Sequence, residues 1–284
     1  MNSILNLLNQ DIELEEILVC EDGISWIDRS GAIHKFEQNG IDIGFVSQLI
    51  FDLADKQDVR LDSKLPFGGG RTQIGGGVFR WHAVIPPLST SGPTLSLRVQ
   101  RSCHVVSDPS LRAILDEIRL LLENSRLPIY IIGSTGSGKT HLLRAILHEH
   151  LFHRRLVIIE STEEIEISTV FWTKLTTKAA GIDARGKIDE DTIVRETLRL
   201  RPDTIVFGEL RGHELRGYWG LIESGHQVIA TIHGQGVGSL NHKLSSALRK
   251  SEAQGTRREF HVVDVRRTGS RIEYALHRNQ YFIL

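Results

Sequence analysis

The sequence predicts an α/β protein of two domains, a small N-terminal α/β domain over residues 1–104 and a larger parallel-sheet domain over residues 105–284. Three observations carry this prediction. Four strand-like apolar runs in the second half alternate with helical segments, the pattern of a parallel sheet. A glycine-rich loop follows the first of those runs and opens a helix. The first hundred residues hold short, turn-bounded strands around one amphipathic helix. With 284 residues, 40% hydrophobic and 24% charged, the chain can bury ordinary cores and wholesale disorder is excluded.

Taken in order, residues 16–27 (EILVCEDGISWI) and 31–36 (GAIHKF) read as short strands around turn signals. Val46, Leu49, Ile50 and Leu53 follow i, i+3, i+4, i+7 spacing and predict a helix. FGGGRTQIGGG (67–77) predicts a flexible loop serving as a hairpin connection. FRWHAVIPP (79–87) and TLSLRVQR (94–101) alternate like strands, and polar SCHVVSDPS (102–110) is the candidate linker. A helical period then runs through Leu111, Ile114, Leu115, Ile118 and Leu121. The strand-like runs are PIYII (128–132), LVII (156–159), TIVF (204–207) and VIATI (228–232). FHVVDV, RIEYAL and YFIL around Thr-Gly-Ser predict a closing β-meander.

Charge and cysteine content narrow the function classes. Lys+Arg 34 against Asp+Glu 35 gives no global signal for a nucleic acid or an anionic membrane surface. Cys20 and Cys103 stand far apart with no Cys-x-x-Cys, so neither a disulfide framework nor a zinc ribbon is in view. No basic residue precedes Arg29, and no apolar run approaches the roughly 18–20 residues of a membrane helix. The expected location is the cytoplasm. Among thirteen histidines, LHEHLFH (147–153) invites a metal reading. His153 falls about 140° around a helix from His148, so the pair cannot share a face as His-Glu-x-x-His ligands do. His148, His150 and His153 instead suit a helix C-terminus.

Chemistry concentrates in PIYIIGSTGSGKTHLLRAIL (128–147), where Gly133-x4-Gly138-Lys139-Thr140 sits between a strand and a helix. Gly133, Ser134, Thr135, Gly136, Ser137 and Gly138 can fold into a nest of N–H groups facing phosphate oxygens. Lys139 would reach the β- and γ-phosphates of a nucleoside triphosphate and the Thr140 hydroxyl would ligate Mg²⁺. Glu209, just beyond the TIVF strand, stands where such sites carry a second acidic group toward Mg²⁺ or the attacking water.

LRLRPDTIVFGELR (198–211) resembles the Leu-Arg-x-x-Pro-Asp-x-Ile-x-x-Gly-Glu-x-Arg signature of the secretion-traffic ATPases, the hexameric motors of type II and type IV secretion and of type IV and tight-adherence pili. SGHQVIATIH (224–233) is similar to that family's histidine box, and AVIPPLSTSGPTLSLR (83–98) to the end of its N-terminal domain. The tight-adherence and conjugation branches look most alike, since no four-cysteine zinc insert or C-terminal retraction motif is present.

The resemblance implies a RecA-like P-loop ATPase domain at the C-terminus, using ATP and Mg²⁺. It implies Glu209 as the Walker B glutamate, His233 near the γ-phosphate with His226 behind it, and Arg211 as the arginine of Gly-Glu-x-Arg. Arg98 would reach the nucleotide from the N-terminal domain, with Arg80 and Arg101 further candidates for that contact. Lys174 and Lys178 fall where the family often has arginines directed at a neighbouring subunit. Laid on the family's Ile-Glu-Asp-x-x-Glu box, VIIESTEEIEI puts Glu160 at its start and Glu164 on the general base. Ser161 stands where Asp is usual.

The implied function is a homo-hexameric Mg-ATPase that powers secretion or pilus assembly beneath an inner-membrane platform protein, held at the membrane through partners. No direct nucleic-acid contact is expected. The alternatives are a nucleic-acid-translocating P-loop motor and a non-hydrolysing ATP-binding ring component.

Overall fold

The structure, a computed structural model, describes residues 14–20, 23–28, 32–36, 42–100, 108–160, 165, 171–177, 188–211, 214–248, 257–269 and 271–283. They form two compact units, one over 14–100 and the other over 108–283.

The first unit is a six-stranded antiparallel sheet backed by one helix. Its strands are β1 (Leu14–Cys20), β2 (Gly23–Asp28), β3 (Ile33–Phe36), β4 (Phe67–Ile74), β5 (Gly77–Val84) and β6 (Thr94–Gln100), in the order β3-β2-β1-β6-β5-β4. Helix α1 (Ile43–Asp55) starts where the Asp42 carboxylate accepts the Phe45 N–H at 2.8 Å, the geometry of an N-cap. It buries Val46, Leu49, Ile50 and Leu53, the residues of the predicted stripe, in one apolar cluster with Ile17, Val19, Trp81, Leu95 and Leu97.

The FGGG stretch departs from the expected loop: Phe67–Ile74 is the edge strand of this sheet. Its glycines serve close packing rather than flexibility. A Cβ on Gly69 would stand 2.7 Å from the Trp81 carbonyl oxygen, and one on Gly68 would stand 2.9 Å from Val59 Cγ1. The hairpin connection is only Gly75-Gly76, whose φ values of 57° and 81° match a type I′ turn.

The second unit carries β7 (Ile129–Gly133), β8 (Leu156–Glu160), β9 (Trp172–Thr176), β10 (Thr204–Leu210), β11 (Gln227–His233), β12 (Arg257–Thr268) and β13 (Arg271–Ile283). Their order is β13-β12-β7-β11-β10-β8-β9, parallel throughout except for the β12–β13 hairpin. Helices α2 (Pro109–Asn124) and α3 (Lys139–His150) cover one face; α4 (Glu190–Arg199), α5 (Glu214–Ile222) and α6 (Gly236–Leu248) cover the other. Along β7, Ile129 and Ile131 join the first core and Tyr130 and Ile132 the second, which is why the run is apolar without alternation. Residues 108–110 of the expected linker are the start of α2: the Asp108 carboxylate accepts the Ser110 N–H at 2.8 Å and Pro109 takes the first turn. No helix among the described residues is long and apolar enough to cross a membrane.

Two further elements differ from expectation. Edge strand β9 is not among the predicted runs. The closing segment is one hairpin rather than a meander, because RIEYAL and residues 281–283 of YFIL both belong to β13. The polar residues between them are absorbed as a bulge. Phe260 pairs with Gln280 and Val262 with His277, leaving Arg278 and Asn279 opposite His261.

His261 fills that bulge. Its Nδ1 accepts the Asn279 N–H at 3.2 Å, and its Nε2 lies 3.2 Å from the Ser125 hydroxyl. Burial, with the Arg278 charge nearby, holds its pKa below the ordinary value. The unfolded chain therefore takes up this proton more readily. Stability is complete above about pH 6.5 and is lost as the pH falls toward the lower folded value. We expect a lower melting temperature at pH 5 than at pH 7.5, and a narrower gap in His261→Gln, measured by thermal unfolding. An unchanged gap would remove His261 from the explanation.

Candidate nucleotide-binding site

In a parallel sheet the open ends lie at the strand carboxyl termini, and ligands bind there. β7, β8, β10 and β11 deliver Gly133, Glu160, Glu209 and His233 to that edge.

Residues 134–138 turn from β7 into α3. Gly133 is required by close approach, since a Cβ there would lie 2.4 Å from both the Val265 carbonyl oxygen and Ser137 Oγ. Gly138, with φ 105°, is the N-cap of α3 and leaves the first N–H groups of that helix without a side-chain cap. Ser137 Oγ is buried with no hydrogen-bond partner among the described residues. Lys139 is 7% exposed, and its ammonium donates to the carbonyl oxygens of Gly133 (3.1 Å) and Ser134 (2.8 Å). A positive helix end, an unanswered hydroxyl and an ammonium at one loop fit a phosphate chain. Thr140 follows on the first turn of α3. An open cleft of about 640 Å³ beside the loop is lined by Ser134, Thr135, His233, Gly234, Gln235 and Ser239.

His233 joins the loop to the acidic strand. Its Nδ1 is 3.3 Å from Lys139 Nζ and its Nε2 is 2.5 Å from Glu209 Oε1. Ammonium donates only, so Nδ1 accepts, and Nε2–H donates to the carboxylate: the neutral tautomer satisfies both partners. Burial first, then the Lys139 charge, hold the His233 pKa below its ordinary value, opposed by Glu209. The His233 carbonyl is held by Lys243, and Thr231 Oγ1 donates to the Gly208 carbonyl, tying β11 to β10. Glu209 Oε2 accepts from Arg211 Nε at 3.2 Å, and the Arg211 N–H donates to Glu214 Oε2 at 3.0 Å at the head of α5. Lys139, His233, Glu209 and Arg211 are thus one connected chain.

Glu160, 4% exposed, accepts the Ile165 N–H at 3.1 and 3.3 Å and lies 3.8 Å from Lys174 Nζ. It packs so tightly on β10 that a Cβ on Gly208 would stand 2.7 Å from Glu160 Cγ. The Gly of Gly-Glu-x-Arg is therefore the space the Glu160 carboxylate needs. Lys174 is committed within its own chain, with its side chain 15% exposed.

Other predicted residues lie elsewhere. His226 precedes β11 and His233 ends it, so the two are about 23 Å apart along an extended strand. His226 meets Ser224 Oγ at 2.6 Å at the opposite end of the sheet, away from His233 rather than behind it. Arg98 belongs to the first unit, abreast of Arg80 on β5, itself abreast of Arg71 on β4, and 3.5 Å from Glu15. Glu164, Ser161, Arg101 and Lys178 lie outside the described residues. Sequence reasoning missed Lys243, Glu214 and the buried Asp264. Of these only Glu214 carries a local signal, an acid three residues after Arg211 at a helix start.

Mg²⁺ keeps several of its waters and needs only one or two protein oxygens besides phosphate, so Thr140 and Glu209 suffice as donors. No group of three or more His, Cys, Asp or Glu able to hold a metal occurs among the described residues.

The type II/IV secretion system protein family matches residues 48–246. A putative conjugal transfer protein of Mycobacterium tuberculosis is 30% identical over 253 residues, 84% of this chain and 70% of the relative. Two solved structures share the fold. The pilus retraction motor PilT with bound ADP superposes with a TM-score of 0.67 at 18% identity, covering 98% of this chain and 83% of its own. The ATPase DotB of Legionella pneumophila gives 0.63 at 17% identity, covering 96% and 78%.

Proposed function

Because the chain belongs to the type II/IV secretion system protein family, we propose that it is a Mg²⁺-dependent ATPase motor, working as a homo-hexameric ring beneath the inner-membrane platform of a secretion, conjugation or pilus machine. The observation that carries this reading is the convergence of Lys139, His233 and Glu209 at the mouth of a glycine loop, with contacts of 3.3 and 2.5 Å.

In this reading the N–H groups of residues 134–138 and the head of α3 hold the ATP phosphates, with Lys139 turned to them. Thr140 would ligate Mg²⁺ and Glu209 would serve it as the second acidic group; the ion would supply charge neutralisation at the phosphates when bound. Glu164 takes the proton of the attacking water, a step that needs positioning more than covalent help. His233 senses the site by its bond to Glu209, and Arg211 passes the position of Glu209 to α5. Arg98 serves as a further nucleotide ligand, a role carried by the family resemblance. The ring sits in the cytoplasm and meets the membrane through partners.

Phosphate release by the full chain with ATP and Mg²⁺, compared with Glu164→Gln, tests this. Loss of a general base lowers turnover about 100-fold or more while ATP binding stays near wild type. A wild type that binds ATP yet hydrolyses it no faster than Glu164→Gln would leave a non-hydrolysing ring component. Stimulation of turnover by DNA would move the reading to a nucleic-acid motor.

A further inference from the structure

The tip of the β12–β13 hairpin flanks the phosphate loop on its free side. β12 runs parallel to β7 with Val263 opposite Ile131 and Asp264 opposite Ile132. The contact continues beyond the paired residues, since the Val265 carbonyl oxygen closes on Gly133 to within 2.4 Å of where a Cβ would stand. Two residues past Asp264, Arg266 follows on β12 immediately after the residue whose carbonyl meets Gly133. The return strand touches the loop's other end, where Ile272 Cδ1 lies 2.9 Å from the Cβ position of Gly138.

Asp264 and Arg266 form an uneven pair. The carboxylate is 2% exposed, whereas the arginine side chain is 69% exposed. Arg266 Nε and Nη2 both donate to Asp264 Oδ2, at 3.1 and 2.7 Å. Burying a carboxylate to hold a solvent-facing arginine is a poor source of stability. Its result is geometric: two donors of one edge are engaged, so the guanidinium plane is held while its faces stay open. A guanidinium already matched by a carboxylate offers a phosphate little attraction. It offers an aromatic ring a flat, weakly hydrated cation on which to stack.

We propose that Arg266 is the platform on which the nucleobase of the bound nucleotide stacks, with Asp264 as the residue that positions it. This rests on residues 133–140 being the phosphate loop. The phosphates end at the loop and the head of α3, and Arg266 stands one strand away, within reach of the nucleoside of the same ligand.

Calorimetric titration of the full chain with Mg-ATP and with Mg-tripolyphosphate, which has no base, tests the assignment. Arg266→Ala is made together with Asp264→Asn, so that no unpaired buried carboxylate is left, and Arg266→Lys keeps the charge without the plane. A guanidinium stacked on a ring contributes about 0.5–2 kcal/mol, so both variants should bind ATP about 2- to 30-fold more weakly and tripolyphosphate as wild type does. Equal loss of both ligands, loss of neither, or full ATP affinity in Arg266→Lys would overturn the platform. Wild type that binds neither ligand would sink the phosphate-loop reading itself, a separate outcome.

Discussion

Replacing Lys139 with alanine should weaken ATP binding about 100-fold or more and bring hydrolysis to background. The ammonium is directed into the loop mouth from α3, in contact with two loop carbonyls and 3.3 Å from His233 Nδ1. Hydrogen bonds to a charged group contribute about 1.5–3 kcal/mol each, and two of them to phosphate oxygens account for that loss. The same change removes the ammonium that holds the Gly133 and Ser134 carbonyl oxygens. Thermal unfolding must therefore accompany the titration, and the reading requires a folded variant that no longer binds ATP. A folded Lys139→Ala protein with ATP affinity within about threefold of wild type would remove the lysine from phosphate recognition.

Glu209→Gln should separate binding from chemistry. The amide keeps the size of the side chain, and its oxygen can still accept the His233 Nε2–H now given to Glu209 Oε1 at 2.5 Å. What it loses is charge, and its NH2 meets Arg211 Nε as a second donor where Oε2 now accepts at 3.2 Å. Turnover should fall about 100- to 1000-fold, the size of effect seen when one charge-stabilising group is withdrawn from a transition state, with ATP affinity nearly unchanged. Phosphate release at saturating ATP, together with direct titration, checks both halves. Parallel losses in affinity and turnover would mean that Glu209 acts in binding alone.

How much of this was legible depended on whether a signal was local. The glycine loop was readable because its glycines, lysine and threonine sit at fixed offsets between an apolar strand and a helix. The parallel strands were readable because both faces are buried, so the runs carry no polar interruption. FGGG read as a loop because glycine's need for space is set by distant partners, Val59 and Trp81, which spacing cannot reveal. The hairpin read as a meander because polar residues 277–280 separate the runs RIEYAL and YFIL in sequence, whereas the fold absorbs them as a bulge around His261. His226 and His233 belong to one motif but to opposite ends of one strand, a consequence of seven residues running extended rather than folding back. The Asp264–Arg266 pair was invisible: an i, i+2 acid and base in a strand acquire meaning only from the loop beside them.

The wedge formed by Glu160, Gly208 and Lys174 restricts which substitutions can be accepted together. Any side chain at 208 must displace the Glu160 carboxylate, and a displaced carboxylate abandons both the Ile165 amide and the Lys174 ammonium. A shorter acid at 160 frees the room a Cβ at 208 would occupy, but it draws back from Lys174, already at 3.8 Å. The three positions are therefore coupled, and an alanine at 208 calls for a compensating change at 160, which in turn alters the contact with Lys174. For anyone redesigning this protein, they are a single mutable position written in three places along the chain.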